Sequence, residues 1–268
     1  IEAVEWHDDA LTAIDACAQA KAKAKAGAGA DTDTLSFAGR TDAPAQVTAL
    51  DEHAAKSRLS DTGIPLPAGQ LCTSARDACS FRKESGSPIV LKAVGANILH
   101  KTEIGGVQLN LTTDDEVTAA YNAIKHLGDG VLAEKMAPPP IAELIVGVRR
   151  DPIVGFYLLL GSGGVTAELI RDTAILLPPA SPDMIRKALL GLKLAPLMTG
   201  YRGRPVGDLD ATVTAIIAIQ TQALALGPDL EELEINPLLV HANGEGATAV
   251  DVLMRVQTPT TNADRHTP

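Results

Sequence analysis

The sequence predicts an α+β (mixed α/β) protein. Short apolar segments bounded by turn residues alternate with helical segments, which is typical of mixed architectures. Asn243-Gly244 separates two apolar segments and indicates a hairpin, so at least part of the sheet is antiparallel. The length of 268 residues fits two medium domains or one bilobal one, with ample chain to bury a core.

The composition excludes several classes of function. The chain is 46% hydrophobic and 21% charged, which is ordinary for a globular protein. A net charge of -10 and only 3% aromatic residues argue against a nucleic-acid partner, although a local patch could still bind phosphate. The three cysteines, Cys17, Cys72 and Cys79, lack metal spacing and predict free thiols in a reducing, cytoplasmic compartment. No apolar run approaches the roughly 20 residues that span a membrane, and Ile1 does not open a signal peptide.

The organisation along the chain predicts five segments. Residues 1–30 are expected to be the tail helix of a preceding domain, and residues 31–47 a linker. Residues 48–130 form the expected N-terminal lobe, residues 131–257 the C-terminal lobe, and residues 258–268 a disordered tail. The first residue is not Met, so we expect the chain to be a piece of a longer protein.

The elements of the N-terminal lobe follow from caps and periodicity. Helices are predicted from Asp51 to Thr62, from Ser74 to Glu84 with Ser74 as the N-cap, and from Asp114 to Leu127. Apolar strands are predicted at Pro88–Val94 and Val107–Leu111.

The C-terminal lobe has more strands. They are predicted at Val131–Glu134, Glu143–Val148, Val154–Leu160, Leu233–His241 and Thr248–Leu253. Prolines 138–140 break the chain, and residues 161–164 form a glycine-rich turn. Helices are predicted at Ser181–Leu190 and Asp210–Leu226.

Lys92 is the first candidate for chemistry. It closes the apolar strand Ile89–Lys92, where a charge is costly to bury unless it is paired. One interpretation is a lysine that reaches a nucleotide phosphate from the end of the strand. The alternative is a surface lysine whose stem covers apolar surface.

A second candidate is the segment from His100 to Val107. Gly105 and Gly106 would let the backbone approach a phosphate, which consecutive N–H groups could cradle. Lys101 adds positive charge, and the imidazole of His100 could act as nucleophile, acid or base near neutral pH. The alternative is a hairpin turn with incidental charges.

Asn236 and Asp251 are the third candidate, because they fall on neighbouring predicted strands. Their oxygens could converge as hard ligands of Mg²⁺, which is commonly held by a few protein oxygens together with phosphates and water. The alternative is that Asn236-Pro237 begins a turn and Asp251 is a charge at a strand edge.

These segments resemble a known family. The run His100-Lys101-Thr102-Glu103-Ile104-Gly105-Gly106-Val107 resembles the "HK-[ST]-[DE]-x-GGV" signature of the ATP-grasp domain of NDP-forming acyl-CoA synthetases, relatives of the succinyl-CoA synthetase β subunit. Further similar segments are Gly63–Pro67, Glu143–Pro152, Gly161–Gly164 with Glu168, Tyr201–Gly203 and Glu232–Leu238. The resemblance covers roughly residues 48–256.

The resemblance implies a nucleotide between two lobes. It implies that Lys92 binds ATP phosphates beneath a Gly105-Gly106-Val107 loop, and that Asn236 and Asp251 bind Mg²⁺. It further implies that Glu134 and the Met136 backbone lie near the adenine, and that Glu143 supports the ribose region.

The resemblance also implies an activity. ADP-forming members couple ATP, an acid and CoA to ADP, phosphate and acyl-CoA through phosphohistidine. By similarity, His100 would relay the phosphoryl group and Lys101 would assist, whereas the CoA-binding and ligase domains would be partners outside this chain. Gly95-Ala96-Asn97 and Phe156 depart from the family pattern. Two alternatives are another ATP-grasp carboxylate ligase, such as a carboxylate–amine ligase, and a non-catalytic ATP-binding regulatory module.

Overall fold

A computed structural model describes residues 46–95, 98, 101–164 and 172–258. The expected tail helix, almost all of the linker and the C-terminal tail beyond Thr258 lie outside these residues, as do His100 and Glu168. Thr258, which was expected to open the disordered tail, is the last residue of a strand.

The larger of two sheets has seven strands within the described residues. Its path runs β1 (Gln46–Ala49), β11 (Val252–Thr258), β9 (Leu230–Val240), β6 (Ala142–Asp151), β7 (Gly155–Ser162) and β8 (Thr173–Leu176). The short β10 (Ala247–Ala249) pairs with the end of β9. Neighbouring strands pair antiparallel, and the β9–β10 connection contains the predicted Asn243-Gly244 turn, in which Gly244 has a φ of 86°.

The smaller sheet has four strands in the order β2 (Gly69–Cys72), β5 (Gly130–Lys135), β3 (Ile89–Val94) and β4 (Val107–Leu111). Helices α2 (Ala75–Ser85) and α3 (Asp114–Ile124) cover it. Capping boxes begin both helices, Ser74 with Asp77 and Thr113 with Glu116, so two otherwise unpaired donors are satisfied at each start.

The remaining helices pack on the larger sheet. They are α1 (Glu52–Leu59), α4 (Pro182–Gly191), the short α5 (Ala195–Met198) and α6 (Leu209–Leu226), with 3₁₀ turns at Tyr201–Gly203 and Gly227–Asp229. Their buried apolar side chains join those of β6, β7, β9 and β11 in the main core. By length and composition alone α6 could cross a membrane, but Val213, Ile216 and Ile219 are buried in that core, which is how a core helix packs.

Most predicted elements are present, with their ends shifted by a few residues. Two predictions are wrong. The glycine-rich turn predicted at residues 161–164 begins inside β7, which runs to Ser162 and pairs there with β6. Residues 248–253 are not a single strand, because β10 ends at Ala249 and β11 begins at Val252. Val250 and Asp251 lie between the two strands, where the Val250 carbonyl accepts hydrogen bonds from two lysines instead of a neighbouring strand.

The strand pairing also differs from the expected lobe boundary at residue 131. That boundary falls inside β5, and all of β5 pairs with β2 and β3 of the smaller sheet. At the other end, β1 pairs with β11, and α1 packs on the same strand. Residues 46–59 therefore belong with the larger sheet. The cause is long-range pairing, which local patterns do not encode.

Candidate functional site

A cluster of charged side chains lies where the two lobes meet. It consists of three lysines and three carboxylates, which we call the ion cluster: Lys56, Lys92, Lys101, Glu52, Glu134 and Asp251. Five of these residues are buried, and only Asp251 has a substantially exposed side chain, at 44%. Buried charges of this kind are tolerated only when they are mutually paired.

Glu52 contacts all three lysines. Its Oε1 atom lies 2.7 Å from Lys56 Nζ and 2.8 Å from Lys92 Nζ, and its Oε2 atom accepts a hydrogen bond from Lys101. Burial alone would raise the pKa of Glu52, but Lys92, Lys56 and Lys101 together lower it far below its ordinary value. The carboxylate is therefore ionised at neutral pH.

The ammonium of Lys92 is fully occupied inside the protein. It pairs with Glu52 at 2.8 Å and Glu134 Oε2 at 2.9 Å, and it donates to the Val250 carbonyl. Burial would lower the pKa of Lys92, but Glu52, Glu134 and Asp251 raise it above its ordinary value. An ammonium has three donors, so a phosphate would have to displace one of these partners to reach it directly.

Lys101 has fewer partners among the described residues than the other two lysines of the ion cluster. These partners are Glu52 and Asp251, whose Oδ1 lies 2.9 Å from Nζ, so two of its three donors are used within this part of the chain. Lys101 is as buried as Lys56 and Lys92. A cation or an anionic ligand would therefore approach this side of the cluster past the exposed carboxylate of Asp251.

The glycine turn positions Lys101 rather than presenting free donors. The Gly105 N–H donates to the Thr102 carbonyl at 3.2 Å, and the Gly106 N–H donates to the Lys101 carbonyl at 2.7 Å. The expected cradle of consecutive free N–H groups is therefore absent from this turn, because the turn itself uses them. Val107 begins β4 opposite Lys92, so the turn folds Lys101 back towards the end of β3.

Asn236 and Asp251 lie side by side. The Asn236 N–H donates to the Asp251 carbonyl at 3.2 Å, and Asn236 Oδ1 accepts from the Gly164 N–H at 3.2 Å. Glu143 lies against the same glycine, because a Cβ atom at Gly164 would fall 1.8 Å from Glu143 Oε2. The structure thus brings the start of β6, the end of β7 and the middle of β9 together beside Asp251 of the ion cluster.

Glu134 and Met136, which were expected near the adenine, differ from their expected surroundings. The Glu134 carboxylate forms ion pairs with Lys56 and Lys92 and is therefore not available to an adenine base. The Met136 N–H donates to the Pro88 carbonyl at 2.9 Å, and its side chain is half-buried. In this structure neither the Glu134 carboxylate nor the Met136 N–H is left unpaired for an adenine.

A second group of charges lies along β9. Burial and the neighbouring Glu232 and Asp251 raise the pKa of Glu234 to about 7, against the opposing effect of Arg149 and Arg255. Arg149 pairs with the buried Glu232 instead. Glu234 is two residues from Asn236, so this part of β9 presents polar groups on the side of the sheet that carries Asn236.

The oxygen atoms of Asn236 and Asp251 fit a Mg²⁺ site that a nucleotide helps to complete. Both are hard donors, and Asp251 is exposed enough to be reached. Among the described residues no group of three or more His, Cys, Asp or Glu side chains could hold a metal ion alone. This suits Mg²⁺, which usually keeps water and phosphate oxygens among its ligands.

Sequence reasoning missed Glu52 and Lys56. Their spacing of four residues is also that of an ordinary exposed helical ion pair, which gives no reason to single them out. One signal was available: Glu52 and Lys56 lie one turn apart, on the same face of a helix with few apolar residues that could cover the sheet.

The chain is similar to several known proteins. The family model of the ATP-grasp domain matches residues 43–256. The β subunit of acetate–CoA ligase [ADP-forming] II from Pyrococcus furiosus is 31% identical over 213 residues, which cover 76% of this chain and 90% of that subunit. A trans-feruloyl-CoA synthase from an unknown prokaryotic organism is 39% identical over 215 residues, but the chain spans only 30% of its length.

A solved structure has the same fold. It is the dinucleotide-forming acetyl-coenzyme A synthetase 1 of Ca. Korarchaeum cryptofilum in complex with coenzyme A and Mg-AMPPCP, with a phosphohistidine segment pointing towards the nucleotide binding site. The TM-score is 0.70 at 33% identity, over 78% of this chain and 93% of that one. On the family match and these relatives, the chain belongs to the ATP-grasp family.

Proposed function

We propose that this chain is the nucleotide-binding, phosphoryl-transferring part of an ADP-forming acyl-CoA synthetase. The observation that carries the proposal is the convergence of Lys101, Asp251 and Asn236, which adjoin one another where the two sheets meet. The names of the relatives, ADP-forming acetate–CoA ligases, support this reaction class over other ATP-grasp ligases. ATP or ADP with Mg²⁺ is the ligand that fits the site.

Several residues of the chain would bind the phosphates and the metal ion together. Lys101 would bind a phosphate oxygen with its third donor, and Lys92 would offset the negative charge of Glu52 and Glu134 behind it. Asn236 and Asp251 would hold Mg²⁺, which when bound neutralises the charge of the phosphates. Glu143 and Met136 would line the region of the ribose and base.

His100 is proposed as the phosphoryl relay. In this step the bond between the γ-phosphorus and the bridging oxygen of ATP breaks, a phosphorus–nitrogen bond forms on the imidazole, and ADP leaves. His100 lies outside the described residues, so the proposal rests on the sequence next to Lys101. The acid and CoA would be handled by CoA-binding and ligase domains, as separate partners or as other parts of the same polypeptide.

Nucleotide binding is tested first by isothermal titration calorimetry of the chain with Mg·ATP. Lys101→Met keeps the length of the side chain and removes its charge, so the Kd should rise about ten- to a hundredfold, the worth of a hydrogen bond to a charged group. Lys135→Met, at an exposed lysine of β5, is the matched control and should leave the Kd unchanged. Failure of the unaltered chain to bind Mg·ATP would refute the proposal.

The transfer step needs a separate measurement. Incubation with γ-³²P-labelled ATP should give acid-labile label on the chain, and His100→Asn should remove that label while nucleotide still binds. Label retained by His100→Asn would contradict the relay role and leave the binding proposal intact.

A further inference from the structure

We propose that Glu52 is a positioning residue that aligns the lysines for the nucleotide phosphates. The inference rests on the proposed function and adds a residue to it. Its basis is geometric: no other side chain of the ion cluster contacts all three ammonium groups. Glu134 contacts two of them, and Asp251 is paired with Lys101 only.

The two carboxylate oxygens of Glu52 contact different lysines. Oε1 receives Lys56 and Lys92, whereas Oε2 receives Lys101. These lysines come from three different parts of the chain, namely α1, β3 and the turn before β4. One carboxylate therefore fixes the distance between the end of β3 and the turn that carries Lys101.

Glu52 is itself held firmly by the larger lobe. Asp51 caps α1 by accepting the Ala54 N–H at 2.8 Å, and Ala55 and Leu59 are fully buried in the main core. The side chain of Glu52 is only 1% exposed. The Glu52 carboxylate therefore ties Lys92 and Lys101 of the smaller lobe to the position of α1 on the larger one.

The charge balance explains why the alignment depends on Glu52. Three ammonium groups face three carboxylates in the cluster. Without Glu52, three positive charges would face two negative ones, and Lys101 would keep Asp251 as its partner among the described residues. A Mg²⁺ ion that takes Asp251 would then leave Lys101 without an anchor, so its ammonium would not be fixed for the phosphate.

The test compares Glu52→Gln and Glu52→Asp with the unaltered chain. Affinities for Mg·ATP and for adenosine are measured by calorimetry well below the unfolding temperature. Glu52→Gln should weaken Mg·ATP about ten- to a hundredfold, whereas adenosine, which has no phosphate, should change less than about threefold. Glu52→Asp keeps the charge and should recover part of the loss.

Asp208→Asn is the matched control for general destabilisation. Asp208 is also a buried carboxylate, but it accepts from the backbone N–H groups of Ala211, Gly244 and Gly246. The Asp208→Asn substitution should lower the unfolding temperature and leave the Kd of Mg·ATP unchanged. If Glu52→Gln weakened the affinities for adenosine and for Mg·ATP equally, Glu52 would have only a structural role.

The remaining outcomes are also decisive. Tighter binding of Mg·ATP by Glu52→Gln would mean that the carboxylate competes with phosphate, and unchanged binding would mean that it does nothing; either overturns the inference. Both leave the proposed function standing, because that fails only if the unaltered chain does not bind Mg·ATP.

Discussion

Lys56 is a buried ammonium group with three partners, and its removal should cost stability. It lies 2.7 Å from Glu52 and 2.9 Å from the Val250 carbonyl, and it also pairs with Glu134. Lys56→Met should lower the free energy of unfolding by about 3 kcal/mol, because losing one partner of a buried ion pair leaves charge uncompensated. Urea denaturation at neutral pH measures the change.

The matched control is Lys187→Met, which removes an exposed lysine from helix α4. Its effect should stay within about 0.5 kcal/mol, as for most surface substitutions. Equal effects of the two variants would show that the ion cluster adds nothing to stability beyond solvated surface charge.

At this scale the sequence predicts residues that stand out locally. Lys92 was identified because it was expected to close an apolar strand, although β3 continues to Val94. Lys101 was identified because it precedes two glycines. Their contact with Glu52 was not predicted, because the partners lie 40 and 49 residues apart in the chain. The partners of an ammonium group determine whether it has an N–H donor available for a ligand. For Lys92 and Lys101 these partners are known only from the structure.

The glycine turn before β4 packs closely against β3 at Gly106. A Cβ atom at Gly106 would lie 3.1 Å from the Lys101 carbonyl oxygen and 3.4 Å from the Ala93 Cβ atom. Gly106→Ala should therefore push the turn away from β3, lower the free energy of unfolding by about 1–3 kcal/mol as overpacking does, and weaken Mg·ATP binding. Urea denaturation and calorimetry check both effects.

Gly191→Ala provides the control for adding a methyl group. It ends α4, and nothing lies within 4 Å of the added atom. The substitution should be neutral or stabilising by up to about 1 kcal/mol. If Gly106→Ala were equally harmless, the turn would not be packed tightly enough to position Lys101.

Elements were predictable wherever a local signal sets them. Ser74 caps α2 as the sequence predicted, and the bounds of β4 are the predicted ones. The break at Val250 and Asp251 was not predictable, because Val250 suits an apolar strand and a charge such as Asp251 is tolerated at a strand edge. Its cause is tertiary: the Val250 carbonyl is satisfied by Lys56 and Lys92 instead of by a strand.

At the scale of the whole molecule, the two-lobed architecture could be predicted but the division between the lobes could not. β1 lies about 200 residues from its partner β11, with Gln46 opposite Thr258, and no local pattern encodes such a pairing. The same pairing carries α1 and Glu52 to the cleft. The long-range topology therefore assembles the site from locally unremarkable residues.

The ion pair between Lys101 and Asp251 joins the two lobes and should couple metal binding to nucleotide binding. ATP alone would place its phosphates against Lys101 and beside the negative carboxylate of Asp251, whereas Mg²⁺ would neutralise the repulsion between them. Calorimetry in EDTA and in excess Mg²⁺ should therefore show ATP affinity rising at least about tenfold with the metal. Asp251→Asn should shrink that ratio, because metal-free ATP would no longer meet the charge of Asp251 while Mg·ATP would lose a metal ligand. A ratio unchanged in Asp251→Asn would mean that the pair does not link the two ligands, whereas Asp115→Asn, at an exposed carboxylate of α3, should preserve it.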